Sequence, residues 1–254
     1  MTMQTTGLTV DVVRADPARF RHPLLLLHGL WTGSWIWRDL VAHLANRGWE
    51  AWAPSFLEAT SAPSQEHRVG ALTELCRSMA APPVIVAHDA AVSTAVILGR
   101  AVRAPAIVAL APWSPPGGRL GLLADRSLRG AVLFSSSIPP PHAGHPLLAG
   151  IQSRLSELQT DSAAFVRATC AGLSREADDP PGLVLAGRTD PAVSTETARR
   201  LAGTLAWSCD VHETVGHFPM LTGEAVRIAD RIHRWIVRAT GPEMLLWGED
   251  EDGG

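Results

Sequence analysis

The sequence predicts an α/β fold: a mainly parallel sheet with helices on both faces and one inserted segment. Short apolar runs alternate with stretches of helical periodicity along most of the 254 residues. The clearest unit is the run Val84–Val86, a sharp turn at Asp89, and an Ala-, Val- and Leu-rich stretch that continues to about Arg103. The alternation stops at residue 114 and resumes near Leu183, which indicates an insertion between them.

The strands are predicted where short apolar runs end at turn residues. Leu8–Arg14 alternates apolar and polar residues and is predicted to be an edge strand. The other predicted strands are Pro23–Leu27, Glu50–Ala53, Val84–Val86, Ala106–Leu110, Leu183–Ala186 and Trp207–His212.

The helices are predicted where apolar residues recur with a helical period. In the core they cover Arg38–Arg47, Arg68–Met79, Ala90–Arg103, Thr195–Leu205 and Glu224–Arg238. Two more are predicted inside the insertion, at 146–159 and 161–174. We therefore expect a core formed by residues 1–113 and 182–247, a lid at 114–181, and a disordered acidic tail at 248–254.

Composition excludes several classes of function. A net charge of −3 does not favour nucleic acid as a partner. No apolar run approaches the roughly 18 residues of a membrane span, and the first residues lack a signal-peptide core. These features predict a cytoplasmic protein that takes a small-molecule substrate, as a monomer or a homodimer.

Neither a metal site nor a disulfide framework is predicted. Cys76, Cys170 and Cys209 are widely spaced and form no CxxC pair. The lid histidines, His142 and His145, are expected to be solvated or packed rather than bound to metal. No organic cofactor is implied either.

Polar residues or glycines follow four of the predicted strands. They are His28-Gly29, Asp89, Asp190 and His217. Because ligands bind at the carboxyl ends of parallel strands, these residues are expected to meet in one crevice. The stretch from Ala87 to Ala91 reads Ala-His-Asp-Ala-Ala, which resembles the G-x-S-x-G nucleophile elbow with small residues kept and Asp in place of Ser.

The order of these motifs resembles that of the α/β-hydrolase superfamily. The run His28–Trp37 (HGLWTGSWIW) is similar to the HGxWxGxWxW loop of small esterases and hydroxynitrile lyases. Gly216–Leu221 resembles the catalytic-histidine segment of the same families, and Gly187–Pro191 resembles the usual acid loop. The resemblance covers nearly the whole chain except the lid.

This resemblance implies a triad and its surroundings. Asp89 would be the nucleophile or base, His217 the general base, and Asp190 the carboxylate that orients His217, with Asp210 or Glu213 as weaker substitutes. The backbone N–H groups of Leu30 and Ala90 would stabilise developing negative charge. The substrate pocket would include Trp31, Trp35, Trp113, Ser114 and Phe218. His28 is expected to shape the oxyanion loop and His88 to be structural.

Asp at the elbow resembles haloalkane dehalogenases and epoxide hydrolases, in which a carboxylate attacks an sp³ carbon and water then hydrolyses the alkyl ester. Attack on an ester substrate would instead give an anhydride, so serine-esterase activity is disfavoured. The chain departs from both families: it has no Tyr to protonate an epoxide. Ala90 stands where dehalogenases commonly place a halide-binding Trp, and Leu30 follows His28-Gly29 where they often have Asn or a second Trp.

Three functions therefore stay open. The first is hydrolysis of a carbon–heteroatom bond in a small, largely apolar or aromatic molecule. The second is a non-hydrolytic lyase or cyclase of specialised metabolism that uses Asp89 and His217 as an acid–base pair. The third is a catalytically silent protein that keeps the pocket and binds a ligand.

Overall fold

An eight-stranded sheet forms the centre of the molecule in a computed structural model, which describes residues 1–5, 7–56, 63–114, 128–221 and 223–246. Its order is β1-β2-β4-β3-β5-β6-β9-β10. These strands are β1 (Thr2–Thr5), β2 (Leu8–Val13), β3 (Leu24–Leu27), β4 (Ala51–Phe56), β5 (Val84–His88), β6 (Ile107–Leu110), β9 (Gly182–Gly187) and β10 (Ser208–His212). The pairs β1–β2 and β2–β4 are antiparallel, and every other pair in this sheet is parallel.

Helices cover both faces of the sheet, as the alternating pattern predicts. One face packs against α1 (Arg38–Ala45) and α7 (Ala225–Thr240), and the other against α2 (Gln65–Arg77), α3 (Ala91–Val102) and α6 (Thr195–Leu205). Successive leucines of β3 point to opposite cores, which explains why this strand is apolar throughout.

The insertion is irregular. It contains α4 (Arg129–Phe134), α5 (Ala163–Ala168), and a two-stranded ribbon of β7 (Ser137–Ile138) and β8 (Asp161–Ser162). Short 3₁₀ turns occupy Pro146–Leu148, Gln152–Glu157 and Thr169–Ala171. The helix predicted at 146–159 is wrong, because Pro146 starts a turn capped by His145 and Arg154 has non-helical angles. The helix predicted at 161–174 is shorter, because residues 161–162 are β8 and the Ser162 hydroxyl caps α5.

Some core boundaries also differ from the prediction. Leu8–Arg14 is not the edge, because β1 pairs along β2 and covers it. The strand predicted to stop before Pro54 continues to Phe56, since Pro54 lies opposite Val10 in the antiparallel β2–β4 pair. The second helix begins three residues earlier than predicted, at Gln65, where the Ser64 hydroxyl accepts a hydrogen bond from the His67 amide. The predicted acidic tail lies outside the described residues.

Candidate active site

Asp89 lies at the turn between β5 and α3 and has a left-handed backbone, with φ of 56°. Asp adopts this region more readily than most residues other than glycine, although at a cost on the order of 1 kcal/mol. The turn is anchored because the Asp89 amide donates to the Leu110 carbonyl at 3.1 Å. Buried alanines at 87, 90 and 91 allow the strand and the helix to pack closely here.

Gly29 allows the oxyanion loop to approach Asp89. A Cβ atom placed on Gly29 would lie 2.5 Å from the Asp89 Cβ and 2.6 Å from its Oδ2. Atoms this close would force the loop away from the carboxylate. The glycine of the His-Gly pair is therefore needed for its lack of a side chain.

The two carboxylate oxygens of Asp89 have different surroundings. Oδ2 accepts a hydrogen bond from the Leu30 amide at 2.9 Å, and the Ala90 amide also stabilises the charged form. Oδ1 is buried and accepts no hydrogen bond from the described residues. Burial raises the pKa of Asp89 to about 6, and the neighbouring His217 and the two amides only partly offset this effect.

His217 is held by Asp190. Its Nδ1 lies 3.0 Å from Asp190 Oδ2, and Asp190 Oδ1 accepts from the amides of Ala192 and Val193 at 2.8 and 3.0 Å. Because the carboxylate takes the hydrogen on Nδ1, the Nε2 lone pair faces the other way. It faces Asp89 Oδ1 at 3.9 Å, which is longer than a hydrogen bond.

The structure thus brings Asp89, His217 and Asp190 together at the carboxyl edge of the sheet. The two substitutes for Asp190 have other partners: Asp210 forms an ion pair with Arg231, and Glu213 accepts from Arg188 at 2.9 Å. A family model matches most of this chain. The model of the alpha/beta hydrolase family matches residues 24–230. The chain belongs to the alpha/beta hydrolase family of enzymes.

Solved structures share the fold of this family member at low sequence identity. A soluble variant of monoglyceride lipase from Saccharomyces cerevisiae has a TM-score of 0.73 at 12% identity, with 95% of each chain covered. A monoacylglycerol lipase from Paleococcus ferrophilus has a TM-score of 0.66 at 17% identity, covering 90% of this chain and 99% of its own. An epoxide hydrolase from Vigna radiata has a TM-score of 0.61 at 18% identity, with 94% and 97% covered. None of the curated proteins matches the chain in sequence.

Two further histidines of this α/β hydrolase support the site without facing it. His88 Nε2 donates to the backbone carbonyl of His217 at 2.8 Å, and burial holds its pKa well below the usual range. His28 Nδ1 donates to the Gly29 carbonyl at 2.9 Å, and burial lowers the pKa of His28 to about 4. Both rings are therefore neutral at physiological pH and act on backbone conformation.

The residues predicted to form the pocket do not share one environment. Trp31 is buried, and its indole nitrogen donates to the Ile138 carbonyl at 3.1 Å, so it is not free to bind a leaving group. Phe218 is buried against the rings of His88 and His217. Trp35 is half-buried under the Arg154 guanidinium, 5.3 Å from its ring centre.

Trp113 and Ser114 line a separate cavity of about 390 Å³ between the first turn of α3, helix α6 and the end of the insertion. His142 and His145 of the insertion contact each other edge to face, with their ring centres 5.9 Å apart. Among the described residues, no group of three or more His, Cys, Asp or Glu is placed to hold a metal ion. In the same part of the chain, no helix is long and apolar enough to cross a membrane.

The sequence prediction missed two charged residues near the site. Arg68 of α2 and Asp161 of β8 form an ion pair in which both side chains are 5% exposed. Asp161 also accepts from the Trp31 amide at 3.1 Å, next to the Leu30 amide that donates to Asp89. Neither lies in a motif, and charged residues in such positions are usually solvated, so the sequence contains no local signal for them.

Proposed function

We propose that this enzyme hydrolyses a carbon–heteroatom bond at an sp³ carbon of a small apolar or aromatic molecule. Asp89 is the nucleophile, His217 the general base and Asp190 the residue that orients His217. The observation that supports this proposal best is the unequal treatment of the Asp89 oxygens: Oδ2 is held by the Leu30 amide at 2.9 Å, and Oδ1 has no hydrogen-bond donor among the described residues.

In the first step, Asp89 Oδ1 attacks the substrate carbon and the leaving group departs with the bonding electrons. The product is an alkyl ester of Asp89. An unbonded, desolvated oxygen is a stronger nucleophile than one that must first lose hydrogen bonds. Holding Oδ2 fixes the direction in which Oδ1 points, which favours a productive approach.

In the second step, water attacks the carbonyl carbon of the ester. His217 Nε2 takes the proton of that water, and Asp190 stabilises the imidazolium that forms. The negative charge of the tetrahedral intermediate develops on Oδ2, where the Leu30 and Ala90 amides stabilise it. Collapse of the intermediate expels the alcohol, which receives the proton from His217, and leaves Asp89 as the carboxylic acid. Loss of the second proton of the water to solvent restores the Asp89 carboxylate. The leaving group of the first step is thereby replaced by hydroxyl.

Isotope labelling tests this mechanism directly. A single turnover in ¹⁸O-labelled water places the label in Asp89, because water attacks the ester carbonyl and the alcohol keeps the original Oδ1. The probes are benzyl chloride, 1-bromohexane and styrene oxide, and the peptide that contains Asp89 is read by mass spectrometry. In His217→Ala the second step lacks its base, so the ester accumulates as a stable mass increase on the intact protein.

The outcomes separate the proposal from its competitors. Label in the alcohol, with none in Asp89, would show that water attacks the substrate directly. The Asp89→Asn variant gives no ester and serves as the control. Hydrolysis of p-nitrophenyl acetate is expected to stay near background, because Asp89 would form an anhydride. Fast hydrolysis of that ester, lost in Asp89→Ala, would contradict the proposal.

A second candidate is a non-hydrolytic lyase or cyclase in which Asp89 accepts a proton from the substrate. It is favoured by a single observation: the pKa of Asp89 is raised to about 6, close to the pH at which an enzymatic base works best. Such an enzyme would form no ester and would leave Asp89 unlabelled in ¹⁸O-water.

A further inference from the structure

Trp31 is held in an unfavourable backbone conformation by three hydrogen bonds from the insertion. Its φ is 59°, in the left-handed region that costs a bulky residue about 1–2 kcal/mol. Its amide donates to Asp161 Oδ2 at 3.1 Å, its carbonyl accepts from the Gln159 amide at 2.8 Å, and its indole donates to the Ile138 carbonyl at 3.1 Å. A strained backbone conformation of this kind is kept only where several surrounding contacts hold it in place.

The strained residue directly follows an oxyanion donor. Leu30 donates to Asp89 Oδ2, and Trp31 is the next residue. Because one peptide plane links the two residues, the direction of the Trp31 amide fixes the peptide that follows the Leu30 donor. The Leu30 N–H lies in the preceding peptide, which is joined to this one through the φ and ψ of Leu30, so the contacts that hold Trp31 restrict where the Leu30 N–H can point.

Asp161 is itself a fully bonded buried anion. Its Oδ1 accepts from the Ser162 amide at 2.7 Å and from Arg68, and its Oδ2 accepts from Trp31. The Arg68 guanidinium is enclosed by two aromatic rings, 3.9 Å from the centre of Phe165 and 4.7 Å from that of Phe56. A buried carboxylate is tolerated only with such a partner, so Arg68 is what allows Asp161 to be charged there.

We propose that Asp161, charge-compensated by Arg68, is a positioning residue that holds the Leu30 amide for the second chemical step. This inference rests on the proposed function, because it assigns Asp161 to hydrolysis of the Asp89 ester. It also assigns the insertion a role in chemistry, since Asp161, Gln159 and Ile138 all belong to it.

The two steps place different demands on that amide. In the first step negative charge leaves the Asp89 carboxylate with the departing group, so Oδ2 needs no additional stabilisation. In the second step a full negative charge develops on Oδ2. Removing one oxyanion donor typically slows such a step by about 10²–10³-fold. A displaced Leu30 amide therefore slows ester hydrolysis and leaves alkylation almost unchanged.

The test measures both steps in wild type and in Asp161→Asn. Enzyme is mixed with benzyl chloride, quenched at intervals, and the ester is quantified by intact-protein mass. We expect the alkylation rate to stay within about threefold, and ester hydrolysis to slow by about 10–100-fold, so that the ester accumulates. An equal loss in both steps, or no loss, would overturn the positioning role.

The matched control is Asp179→Asn. The Asp179 side chain is 3% exposed and pairs with the partly exposed Arg100, but it precedes the amino end of β9 and does not touch the loop that contains Leu30. If Asp161→Asn does not fold, the double variant Arg68→Met/Asp161→Asn removes both charges at once. Replacing a whole buried ion pair is generally better tolerated than removing one partner.

Hydrogen exchange separates this inference from the proposed function. In Asp161→Asn, the peptide that contains Leu30 and Trp31 is expected to exchange about tenfold faster or more, and the same peptide in Asp179→Asn is not. Unchanged exchange would overturn the positioning role, whatever the chemistry. If no probe forms an ester even in His217→Ala while exchange rises as expected, then the proposed function fails and the role of Asp161 in ordering the loop stands.

Discussion

Asp89 and Asp161 are two carboxylates with almost no exposed surface, at 3% and 4%, and the structure treats them in opposite ways. Asp161 has a guanidinium partner and two backbone amide donors, which use both of its oxygens. In Asp89, Oδ2 accepts from the Leu30 amide, and Oδ1 is left without a donor among the described residues.

This difference in hydrogen bonding distinguishes a buried carboxylate that stabilises the fold from one that is able to react. A carboxylate with all its acceptors used is stable but has no lone pair available for a substrate. A carboxylate with one oxygen held and one bare is costly to bury and remains reactive. Burial alone therefore does not distinguish the two carboxylates, whereas the unused acceptor of Asp89 Oδ1 does, and our proposal that Asp89 is the nucleophile rests on it.

The largest expected effect comes from Asp89→Asn. The variant keeps the shape and the left-handed backbone but removes the nucleophilic oxygen, so turnover should fall by about 10⁴-fold or more. The loss is measured as kcat/KM on a probe that the wild type turns over. Mass spectrometry of the variant excludes deamidation of the introduced Asn back to Asp. Retention of activity would remove the distinction drawn between Asp89 and Asp161.

Asp190→Asn should have the next largest effect. Loss of the carboxylate removes the group that fixes the His217 tautomer, and turnover should fall by about 10²–10⁴-fold with little change in stability. The control is Asp210→Asn, which removes a carboxylate on β10 that has its own arginine partner. Full activity in Asp190→Asn would mean that another group orients His217.

The pH profile should show a smaller but specific effect. The pKa of Asp89 is about 6, and only the carboxylate attacks, so kcat/KM should fall about tenfold per pH unit below that value. The measurement is kcat/KM from about pH 4 to about pH 9, on the probe used for Asp89→Asn. An acid limb near the ordinary aspartate pKa, about 4, would show that Asp89 is solvated when it reacts.

The smallest expected effect is on thermal stability, in the variant Asp89→Gly. The folded-state pKa of Asp89 is raised above its unfolded value, so the native state binds the proton more tightly and stability falls as pH rises from about 4 to about 6. Removing the carboxylate abolishes that loss, which is about 3 kcal/mol as an upper figure. Asp89→Gly, which also relieves the backbone strain, should therefore melt on the order of 5 °C higher at pH near 8.

Three comparisons check this prediction. The part of the Asp89→Gly gain that comes from the carboxylate should disappear below about pH 3, where the carboxyl is neutral in both states, and the part that comes from the backbone should remain. The difference between Asp89→Gly and Asp89→Asn isolates the backbone contribution. A destabilised but active Asp89→Gly would show that Asp89 is a structural residue like Asp161.

The sequence predicts the residues at the carboxyl edge of the sheet better than it predicts the structure of the insertion. Asp89 and Asp190 each follow a buried strand with a clear apolar run, and His217 follows the partly exposed strand β10 next to β9. Parallel strands bring their carboxyl ends together whatever the loops do. The alpha/beta hydrolase fold, shown by the family match, follows from the same alternation.

The insertion depends on contacts that local patterns do not encode. The apolar residues over 146–159 have a helical period, but the segment forms two short 3₁₀ turns separated at the extended residue Ala149, and the second turn is itself kinked at Arg154. Asp161 and Arg68 are 93 residues apart, and their burial exists only because Phe56 and Phe165 enclose the guanidinium. Polar residues in a loop predict solvent exposure, and only the folded chain reverses that expectation.

The three hydrogen bonds that hold Trp31 have a consequence for protein engineering. The insertion cannot simply be replaced by that of another hydrolase. The replacement would lack Asp161 and would not place backbone groups where those of Ile138 and Gln159 bind Trp31. Chimeras that replace it would lose the contacts that hold Trp31, the neighbour of the Leu30 amide, although residues 30 and 31 themselves are unchanged. Libraries that aim at new substrates should therefore keep residues 31, 68 and 161 as one unit and vary the insertion around them.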